Sequence, residues 1–345
     1  MEEKRQWIVR ARRQETPDAV TLELEPLAGD MPPYSPGQYL SIIYQVYGQE
    51  KRRAYSISSV QGLDQYLHLT IKRVANGECS TRLVRHTGVG DLLEAIGPSG
   101  RFVLPKPLPA HLAYIAAGSG ITPVMSHLKQ VMHMAHPPRV LLLYANRNAE
   151  NTIFKQTLDA WAAERPEVFT LHHIFSREKG GQHAHFGRLN QLLLNQLLTD
   201  WLPERQLPKA HFFICAPIGI QRMAEMCLRV LDVPDAHLHH EQFVPDSRLK
   251  RRTLDATRTH RVLLPEAGIF FDTWHNETIL NAALRQGIAM PYTCKSGVCF
   301  TCLQQLVAGE VDVVFADQTI HAAPGDLINT CIGYVVSPEI TLRSQ

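Results

Sequence analysis

The sequence lacks a strong excess of either charge and has no long apolar run. Its 345 residues carry 35 Lys and Arg against 33 Asp and Glu, a formal net charge of +2. Such a balance creates no strong field that would attract nucleic acid or an anionic membrane, so neither is expected as a partner. No stretch reaches the roughly 18–20 apolar residues that a membrane-spanning helix requires, and no membrane span is expected.

Cysteine is also scarce, and the charged N-terminal segment, MEEKRQWIVRARR, has no secretory signal. The protein is therefore expected in the cytoplasm, where closely spaced cysteines are more often metal ligands or catalytic groups than disulfides. Three of the seven cysteines are nevertheless crowded into nine positions, in the segment CKSGVCFTC at 294–302. This segment could be a disulfide framework, a zinc site, an iron–sulfur cluster or a thiol redox switch.

The spacing of these cysteines favours the iron–sulfur cluster. Cys294, Cys299 and Cys302 follow a C-x4-C-x2-C pattern, and Cys331 comes much later in the chain. This is the plant-type [2Fe–2S] spacing, in which one loop supplies three thiolates and a distant segment supplies the fourth. Zinc sites usually combine two paired units, whereas here the second unit would be a single cysteine. A disulfide conflicts with a reducing compartment.

The chain shows three successive patterns. Residues 1–106 contain short, partly alternating runs between Pro- and Gly-rich turns, which predict an antiparallel β-barrel. Residues 107–243 alternate apolar strands with helices, which predicts a parallel sheet covered on both faces. A polar, basic linker is predicted at 244–258. A small domain of strands and one helix is predicted at 259–345.

Two helices of this scheme have polar residues suited to start them. The segment GECSTRLVRHTG predicts a short helix with Ser80 as its N-cap. The segment NETILNAALRQGI predicts a later helix capped by Asn276.

Two segments of the first domain carry groups suited to a nucleotide cofactor. RAYSISS offers the Arg53 guanidinium for a phosphate, the Tyr55 ring for stacking and the Ser56 hydroxyl. GECST, which begins at Gly77, places free N–H groups at a helix N-terminus, where a pyrophosphate is favoured. Taken alone, the first segment is better explained as a polar strand end, and Ser80 of the second could be only a helix cap.

A stronger signal, AAGSGITP at 116–123, follows an apolar strand and opens a helix. Gly118 and Gly120 would let a dinucleotide approach the backbone, and Pro123 suits the first turn of the helix. The segment differs from the G-x-G-x-x-G fingerprint, because proline takes the place of the third glycine and the next strand ends in YANR, without an acidic residue for a ribose. A dehydrogenase of the usual type is therefore disfavoured.

Together these motifs resemble those of a known superfamily. R-x-Y-S-x-x-S, G-x-x-S-T, G-x-G-I-T-P, FSRE and ICAP occur here in the order found in the ferredoxin–NADP reductase superfamily. With the cysteine segment behind them, the layout is similar to the phenylacetyl-CoA epoxygenase reductase group, which supplies electrons to multicomponent oxygenases. The resemblance covers nearly the whole chain. It implies a β-barrel that binds FAD, an α/β domain that binds NAD(P) and a C-terminal β-grasp [2Fe–2S] ferredoxin domain.

The resemblance also implies roles for individual residues. The positions implied to hold FAD are Arg53, Tyr55, Ser56, Gly77, Ser80 and Thr81. Those implied to meet the nicotinamide nucleotide are Gly118, Gly120 and Thr122. The positions implied to lie near the reacting rings are Ser56, at the flavin N5, and Cys215, Glu241 and Phe243. Ordinary burial in a strand explains Cys215 about equally well, and ordinary packing is a strong explanation for Glu241 and Phe243. In place of the family's Cys-Gly-Pro this chain has Ala216 after Cys215.

Cofactor choice rests on a second set of positions. In relatives, a Ser-Arg pair at this strand end binds the 2′-phosphate of NADPH, which implies the same role for Ser176 and Arg177. Arg147, at the end of the neighbouring strand, could assist, because arginine binds phosphate with two parallel hydrogen bonds. NADPH is therefore favoured over NADH, although solvated surface arginines would look the same in the sequence.

The implied activity is electron transfer. NAD(P)H would reduce FAD, and the electrons would pass singly to the [2Fe–2S] cluster and then to an oxygenase component of the diiron or Rieske type. Alternative acceptors are a hybrid-cluster protein and a desaturase. Alternative functions are a redox sensor, which the complete flavin and nucleotide motifs disfavour, and a C-terminal zinc-binding interaction module. The sequence does not indicate an oligomeric state.

Overall fold

The computed structural model describes most of the chain, namely residues 4–46, 49–75, 77–180, 184–243, 252–292, 297, 301–314 and 319–344. These residues fall into two compact units that meet in the sequence between Gln242 and Phe243. The first unit contains the two domains predicted to bind nucleotides. The second contains the cysteine-rich domain.

The first domain is an antiparallel sheet that closes on itself. Its elements are β1 (Lys4–Thr16), β2 (Ala19–Pro26), β3 (Tyr39–Val46), β4 (Gln49–Ser56), β5 (Leu67–Lys72), α1 (Glu78–Arg85) and β6 (Leu92–Ser99). The strands pair in the order β4-β3-β6-β1-β2-β5. An antiparallel bridge between Ile57, just after β4, and Leu69 on β5 joins the two edges. Trp7 and Val9 of β1 are buried together because alternate residues of a strand share one face. The predicted barrel is confirmed.

The second domain is a six-stranded parallel sheet. Its elements are β7 (His111–Ala117), α2 (Ile121–Met132), β8 (Arg139–Asn146), α3 (Lys155–Glu164), β9 (Phe169–Phe175), β10 (Ala184–Phe186), α4 (Gln191–Trp201), β11 (His211–Cys215), α5 (Ile218–Val230) and β12 (Leu238–His240). The strand order is β10-β9-β8-β7-β11-β12. On β7, Leu112 and Tyr114 belong to one hydrophobic core, and Ala113 and Ile115 to the other. This two-sided burial explains the continuous apolar run of the strand.

The C-terminal unit combines a mixed sheet with one helix. Its elements are β13 (Asp255–Leu264), β14 (Ile269–His275), α6 (Ile279–Arg285), β15 (Leu303–Ala308), β16 (Val311–Val314), β17 (Thr319–Ala322), β18 (Leu327–Asn329), β19 (Gly333–Val335) and β20 (Glu339–Ser344). The larger sheet has the order β14-β13-β20-β15-β18, in which β13 and β20 are parallel, and the smaller has β17-β16-β19. Ile279 and Ala283 of α6 belong to the same core as Val262 and Ile340. This is the β-grasp arrangement that the resemblance implied.

Three local predictions need correction. Helix α1 has Gly77 as its N-cap, so Ser80 lies inside the helix. The N-cap of α6 is Thr278, whose side chain accepts a hydrogen bond from the Asn281 N–H, and Asn276 is not the cap. Strand β13 begins at Asp255, inside the predicted linker, because it pairs with β14.

Candidate functional site

The end of β4 carries a buried hydroxyl without a partner. Ser56 is 2% exposed, and its Oγ makes no hydrogen bond with any described residue. A buried polar atom without a partner costs free energy, so such a group in a native protein commonly marks a place for a ligand. Arg53, three residues earlier, is exposed. The strand end therefore presents a buried hydroxyl and an exposed cation.

Tyr55, between these two residues, packs partly against the barrel core. Burial raises the pKa of its hydroxyl above the ordinary value. Cys79, on α1, is buried beside it, and burial likewise raises the pKa of that thiol, although hydrogen bonding to Tyr55 opposes the rise. Tyr55 therefore stays neutral at physiological pH and can offer a flat uncharged ring.

Gly77 is the N-cap of α1. The Ser80 hydroxyl accepts a hydrogen bond from the Val74 N–H at 3.1 Å and donates one to the Gly77 carbonyl at 3.3 Å. The Thr81 N–H also donates to the Gly77 carbonyl, at 3.0 Å. Because the Ser80 side chain is used within the turn, the groups left for an anion are the first backbone N–H groups of the helix.

The turn between β7 and α2 is shaped by two glycines with different constraints. Gly120 packs against the end of β11, where an added Cβ would lie 1.9 Å from the Cys215 carbonyl oxygen. Gly118 has a φ of +53° and no atom within 4 Å of an added Cβ. The Tyr144 hydroxyl donates to the Gly118 carbonyl at 2.9 Å, and the Thr122 hydroxyl donates to the Ser119 carbonyl at 3.0 Å. Open space for a ligand thus lies at Gly118, whereas Gly120 allows strand and turn to meet.

Two protonated groups lie beside this turn. Cys215 is buried, and burial, with a further effect of Glu241, raises the pKa of its thiol well above the ordinary value. The Glu241 N–H donates to the Ile214 carbonyl at 3.0 Å, which extends the pairing of β11 and β12. Its Oε2 is buried without a partner among the described residues, and burial raises the pKa of the carboxyl to about 8. The structure therefore brings Gly120, Cys215 and Glu241 together.

The carboxyl ends of β8 and β9 bring two arginines close in the fold. The Arg177 N–H donates to the Arg147 carbonyl at 2.8 Å, and the Ser176 N–H donates to the Asn146 carbonyl at 3.0 Å. Arg147 and Arg177 are exposed, and neither guanidinium bonds to a described residue. The loop after β8 is held by Glu178, whose Oε2 accepts a hydrogen bond from the Ala149 N–H at 2.7 Å. Two positive charges thus lie at adjacent strand ends, where an anionic group would be attracted.

The predicted cluster site is described in part. Cys302 and Cys331 are buried, whereas Cys294 and Cys299 lie outside the described residues. The Gly297 N–H donates to the Cys331 Sγ at 3.2 Å, and the Asn329 side chain donates to the Gly297 carbonyl at 3.2 Å. Hydrogen bonds from the backbone to cysteine sulfurs are characteristic of iron–sulfur sites.

The segments that carry these two cysteines are also joined. Both the N–H and the hydroxyl of Thr330 donate to the Cys302 carbonyl, at 3.2 and 3.0 Å. Phe243, predicted to lie near the flavin, is the first residue of the C-terminal unit and is exposed.

Several residues of these sites have no recognisable sequence signal. Tyr144, Glu178 and Asn329 hold the site loops through single hydrogen bonds to backbone groups. Tyrosine, glutamate and asparagine occur throughout any chain, and only the FSRE motif around Glu178 could have drawn attention to one of them.

Three family models match the chain in succession. They are the oxidoreductase FAD-binding domain at residues 17–104, the oxidoreductase NAD-binding domain at 114–227 and the 2Fe-2S iron–sulfur cluster binding domain at 266–336. The chain is 32% identical over 332 residues to one of the subunits of the 1,2-phenylacetyl-CoA epoxidase of Escherichia coli K12, covering 94% of this chain and 90% of that protein. The chain belongs to the flavin- and iron–sulfur-dependent oxygenase reductases.

Other similarities agree with this assignment. This oxygenase reductase is 30% identical to an NADPH oxidoreductase of Mycobacterium tuberculosis H37Rv, over 93% of this chain and 79% of that protein. Its fold matches the crystal structure of phthalate dioxygenase reductase with a TM-score of 0.62 and 23% identity, covering 98% and 97% of the two chains. The oxygenase reductase therefore uses FAD, a [2Fe–2S] cluster and a nicotinamide nucleotide, and the match at 266–336 replaces the zinc alternative.

The residues present fit these groups. For FAD, the barrel offers the partnerless Ser56 hydroxyl and the N–H groups of α1. For the nucleotide, the second domain offers the open side of Gly118 and the two strand-end arginines. For the cluster, the C-terminal unit offers two buried thiols and an N–H already directed at one of them. No helix among the described residues is long and apolar enough to cross a membrane.

Proposed function

We propose that this oxygenase reductase takes electrons from NADPH and delivers them one at a time to an oxygenase component. The observation that supports the proposal most directly is that one chain holds an FAD-binding barrel, a nucleotide-binding sheet and a [2Fe–2S] domain. FAD, when bound, supplies the conversion between hydride transfer and single-electron transfer. The chain would bind and orient these cofactors.

Several residues of the first unit are proposed to contact different parts of the flavin and the nucleotide. The Ser56 hydroxyl is proposed to hydrogen-bond the flavin, since its Oγ is otherwise without a partner. Tyr55 would stack on the ring system and Arg53 would meet a phosphate, while the N–H groups of α1 would meet the pyrophosphate. The neutral Cys215 thiol would pack beside the nicotinamide. Glu241 would hold a proton at its carboxyl at neutral pH.

The choice of NADPH is proposed to rest on Arg147 and Arg177. Both guanidinium groups lack a partner among the described residues, and they follow adjacent strands whose ends are joined by a backbone hydrogen bond. Two arginines can bind the 2′-phosphate with charge-assisted hydrogen bonds that NADH cannot accept. The name of the mycobacterial relative, an NADPH oxidoreductase, supports the same choice.

Steady-state kinetics with both nucleotides test this choice. Replacing Arg177 or Arg147 with Gln should lower kcat/KM for NADPH by about 10- to 100-fold and change that for NADH by less than about threefold, because charge-assisted bonds contribute roughly 1.5–3 kcal/mol each. Arg205→Gln is the matched control, since Arg205 is exposed but precedes β11 and so lies at the opposite edge of the sheet. An unchanged NADPH/NADH ratio in both variants would rule the proposal out.

The oxygenase partner is proposed from the names of relatives and from the [2Fe–2S] domain, whose cluster would pass electrons to another protein. The relative from Escherichia coli is part of an epoxidase, and phthalate dioxygenase reductase serves electron transfer from pyridine nucleotides to [2Fe-2S]. A cytoplasmic location is part of the proposal, because cluster thiolates require a reducing compartment. The exit route is tested with Cys299→Ser, which should keep NADPH-driven ferricyanide reduction and lose most cytochrome c reduction. Normal cytochrome c reduction in this variant would remove the cluster from the path.

A further inference from the structure

Helix α2 belongs to the nucleotide-binding domain but also contacts the FAD-binding domain. It begins directly after the turn formed by Gly118–Gly120. Further along the helix, three side chains bond across the domain boundary: Ser126, His127 and Lys129. We call these three residues the α2 clamp. None of them belongs to the sequence motifs of the site.

His127 is the buried centre of the clamp. It is 0% exposed, and its Nε2 lies 3.0 Å from the Phe102 carbonyl oxygen and 3.2 Å from the Pro36 carbonyl oxygen. Both neighbours can only accept, so Nε2 must carry the hydrogen. Burial lowers the pKa of the imidazole to about 4, which keeps it neutral at physiological pH. His127 therefore donates one hydrogen that two carbonyls of the FAD-binding domain share.

The His127 ring also packs between the two domains. It stacks on Phe102 of the FAD-binding domain, with centroids 5.4 Å apart and an interplanar angle of 14°. It also packs nearly at a right angle to Phe213 of β11, with centroids 5.1 Å apart and an interplanar angle of 84°. Phe213 stands two residues before Cys215 on the same strand. The ring thus touches the barrel on one side and the strand that ends at the nicotinamide site on the other.

Gly37 of the FAD-binding domain packs directly against the α2 clamp. Its N–H donates to the Ser126 Oγ at 2.8 Å, and the Ser126 hydroxyl donates to the Pro123 carbonyl at 2.8 Å. Gly37 has a φ of +90°, and an added Cβ would lie 1.7 Å from the Phe102 oxygen and 2.4 Å from the His127 Nε2. The contact is therefore tight enough to require glycine.

An ion pair extends the clamp toward the surface. The Lys129 Nζ lies 2.8 Å from the Asp64 Oδ1, and the other oxygen of Asp64 accepts from the Val60 N–H at 2.7 Å. Both side chains are partly buried. Because the Val60 N–H holds the Asp64 carboxylate, Lys129 meets a fixed partner rather than a mobile one.

We propose that His127 is a positioning residue, which through the α2 clamp fixes the nicotinamide-binding turn relative to the flavin-binding barrel. Hydride transfer requires reacting atoms about 3–3.5 Å apart, and a displacement of about 1 Å can cost about 100-fold in rate. The turn at Gly118–Gly120 and the bonds of the clamp lie on one continuous helix. The position of that helix against the barrel would therefore set how closely a bound nicotinamide approaches a bound flavin. The inference rests on the family's transfer from nicotinamide to flavin.

The test compares three substitutions of one side chain. His127→Phe keeps an aromatic ring but removes the donor, and should lower the limiting rate of flavin reduction by about 10- to 100-fold while the Kd for NADPH changes by less than about threefold. His127→Gln carries an amide donor near the position of Nε2 and should recover most of the rate. The Asn side chain in His127→Asn is too short to bring its amide donor to either carbonyl, so this variant should behave like His127→Phe.

A second readout does not depend on hydride transfer. In the FAD-loaded protein without nucleotide, amide hydrogen exchange of Gly37 reports its bond to Ser126. This exchange should rise at least about tenfold in His127→Phe, whereas that of Leu142 in the core of β8 should stay unchanged. A rise at both amides would identify His127 as a core residue only and would overturn the proposal. A wild-type reduction rate in His127→Phe would also overturn it.

A surface variant keeps the proposal testable if His127→Phe does not fold. Lys129→Gln removes the clamp's ion pair and should lower the limiting rate by about three- to tenfold. Its control is Arg10→Gln, which removes an ion pair of 2.6 Å to Glu25 within the barrel and should leave the rate unchanged. Equal rates in Lys129→Gln and Arg10→Gln would contradict the clamp.

Discussion

At the scale of the residue, burial decides which groups near the proposed nicotinamide site carry a proton. Glu241 is an ordinary acid in the sequence segment HLHHEQF, between two histidines and an amide. In the fold its Oε2 has no partner among the described residues, and burial raises the pKa of the carboxyl to about 8. Cys215 beside it is likewise held as a thiol. The site therefore has two neutral groups where the sequence alone would suggest one negative charge.

This environment predicts an unusual pH dependence of stability for Glu241. Below about pH 4.5 the carboxyl is protonated in both the folded and the unfolded chain. As the pH rises from there to about 8, only the unfolded chain ionises, so the wild-type protein loses stability relative to Glu241→Gln. The difference in Tm between the variant and the wild type should grow over this interval and then level off.

Thermal melts across that pH range check this expectation. Glu164→Gln, at an exposed position on α3, is the control and should show no such trend. A difference between Glu241→Gln and the wild type that is the same at both ends of the range would mean that Glu241 ionises normally in the folded protein.

At the scale of the element, turns and helix starts decide where functional groups point. Gly297 has a φ of +76°, and an added Cβ would lie 2.3 Å from the Cδ1 of Ile332. The same residue donates to the Cys331 sulfur. Gly287, after α6, has a φ of +74° but no atom within 4 Å of an added Cβ. These two glycines share a positive φ and differ in the space around them and in the bond that Gly297 makes to Cys331.

Alanine substitutions at Gly297 and Gly287 distinguish the effect of backbone strain from the effect of a side chain placed in the cluster site. Gly297→Ala should lose most of the bound iron and sulfide, since its new methyl group must displace either Ile332 or the N–H directed at Cys331. Gly287→Ala should keep its cluster and lose only about 1 kcal/mol of stability. Iron and acid-labile sulfide per chain, together with a denaturant melt, measure both effects. Equal cluster contents in the two variants would refute the role of the Gly297 turn.

The first residues of α1 and α6 show why the local sequence alone did not predict the N-caps correctly. Asn276 and Thr278 are both good N-caps and stand two residues apart, so spacing cannot choose between them. A tertiary contact decides between them. Asn276 has a φ of +64°, and its side-chain amide donates a hydrogen bond to the Thr253 carbonyl. Thr278 is therefore the residue that caps α6. Ser80 likewise bonds back to Val74 and Gly77 instead of capping α1.

At the scale of the whole molecule, the chain consists of two compact units that divide between Gln242 and Phe243. The first unit has its own closed barrel, parallel sheet and cores, and the domain contacts of the α2 clamp lie wholly inside it. The second unit has a separate core around α6. Reduction by the nucleotide and delivery through the cluster are therefore assigned to different compact units.

This division predicts the behaviour of a shortened chain. A protein ending at Gln242 should fold with FAD and reduce ferricyanide with NADPH at a rate within about twofold of the full chain, because every residue proposed above to bind FAD or NADPH precedes the end of that chain. It should show almost no cytochrome c reduction, since the cluster unit is missing. Rates are compared per bound flavin, and full-length Cys299→Ser serves as the control. A shortened chain that cannot bind FAD would show that the first unit is not independent.

The sequence by itself determined the domain order, the strand–helix alternation and the cluster spacing. These features depend on local period and on residue spacing, which a linear chain displays directly. Tertiary structure alone decided the raised pKa of Glu241, the different constraints on Gly118 and Gly120, and the meeting of His127 with Phe102. Such features depend on burial and on atoms brought close from distant parts of the chain, as when the backbone of β11 leaves no space for a side chain at position 120.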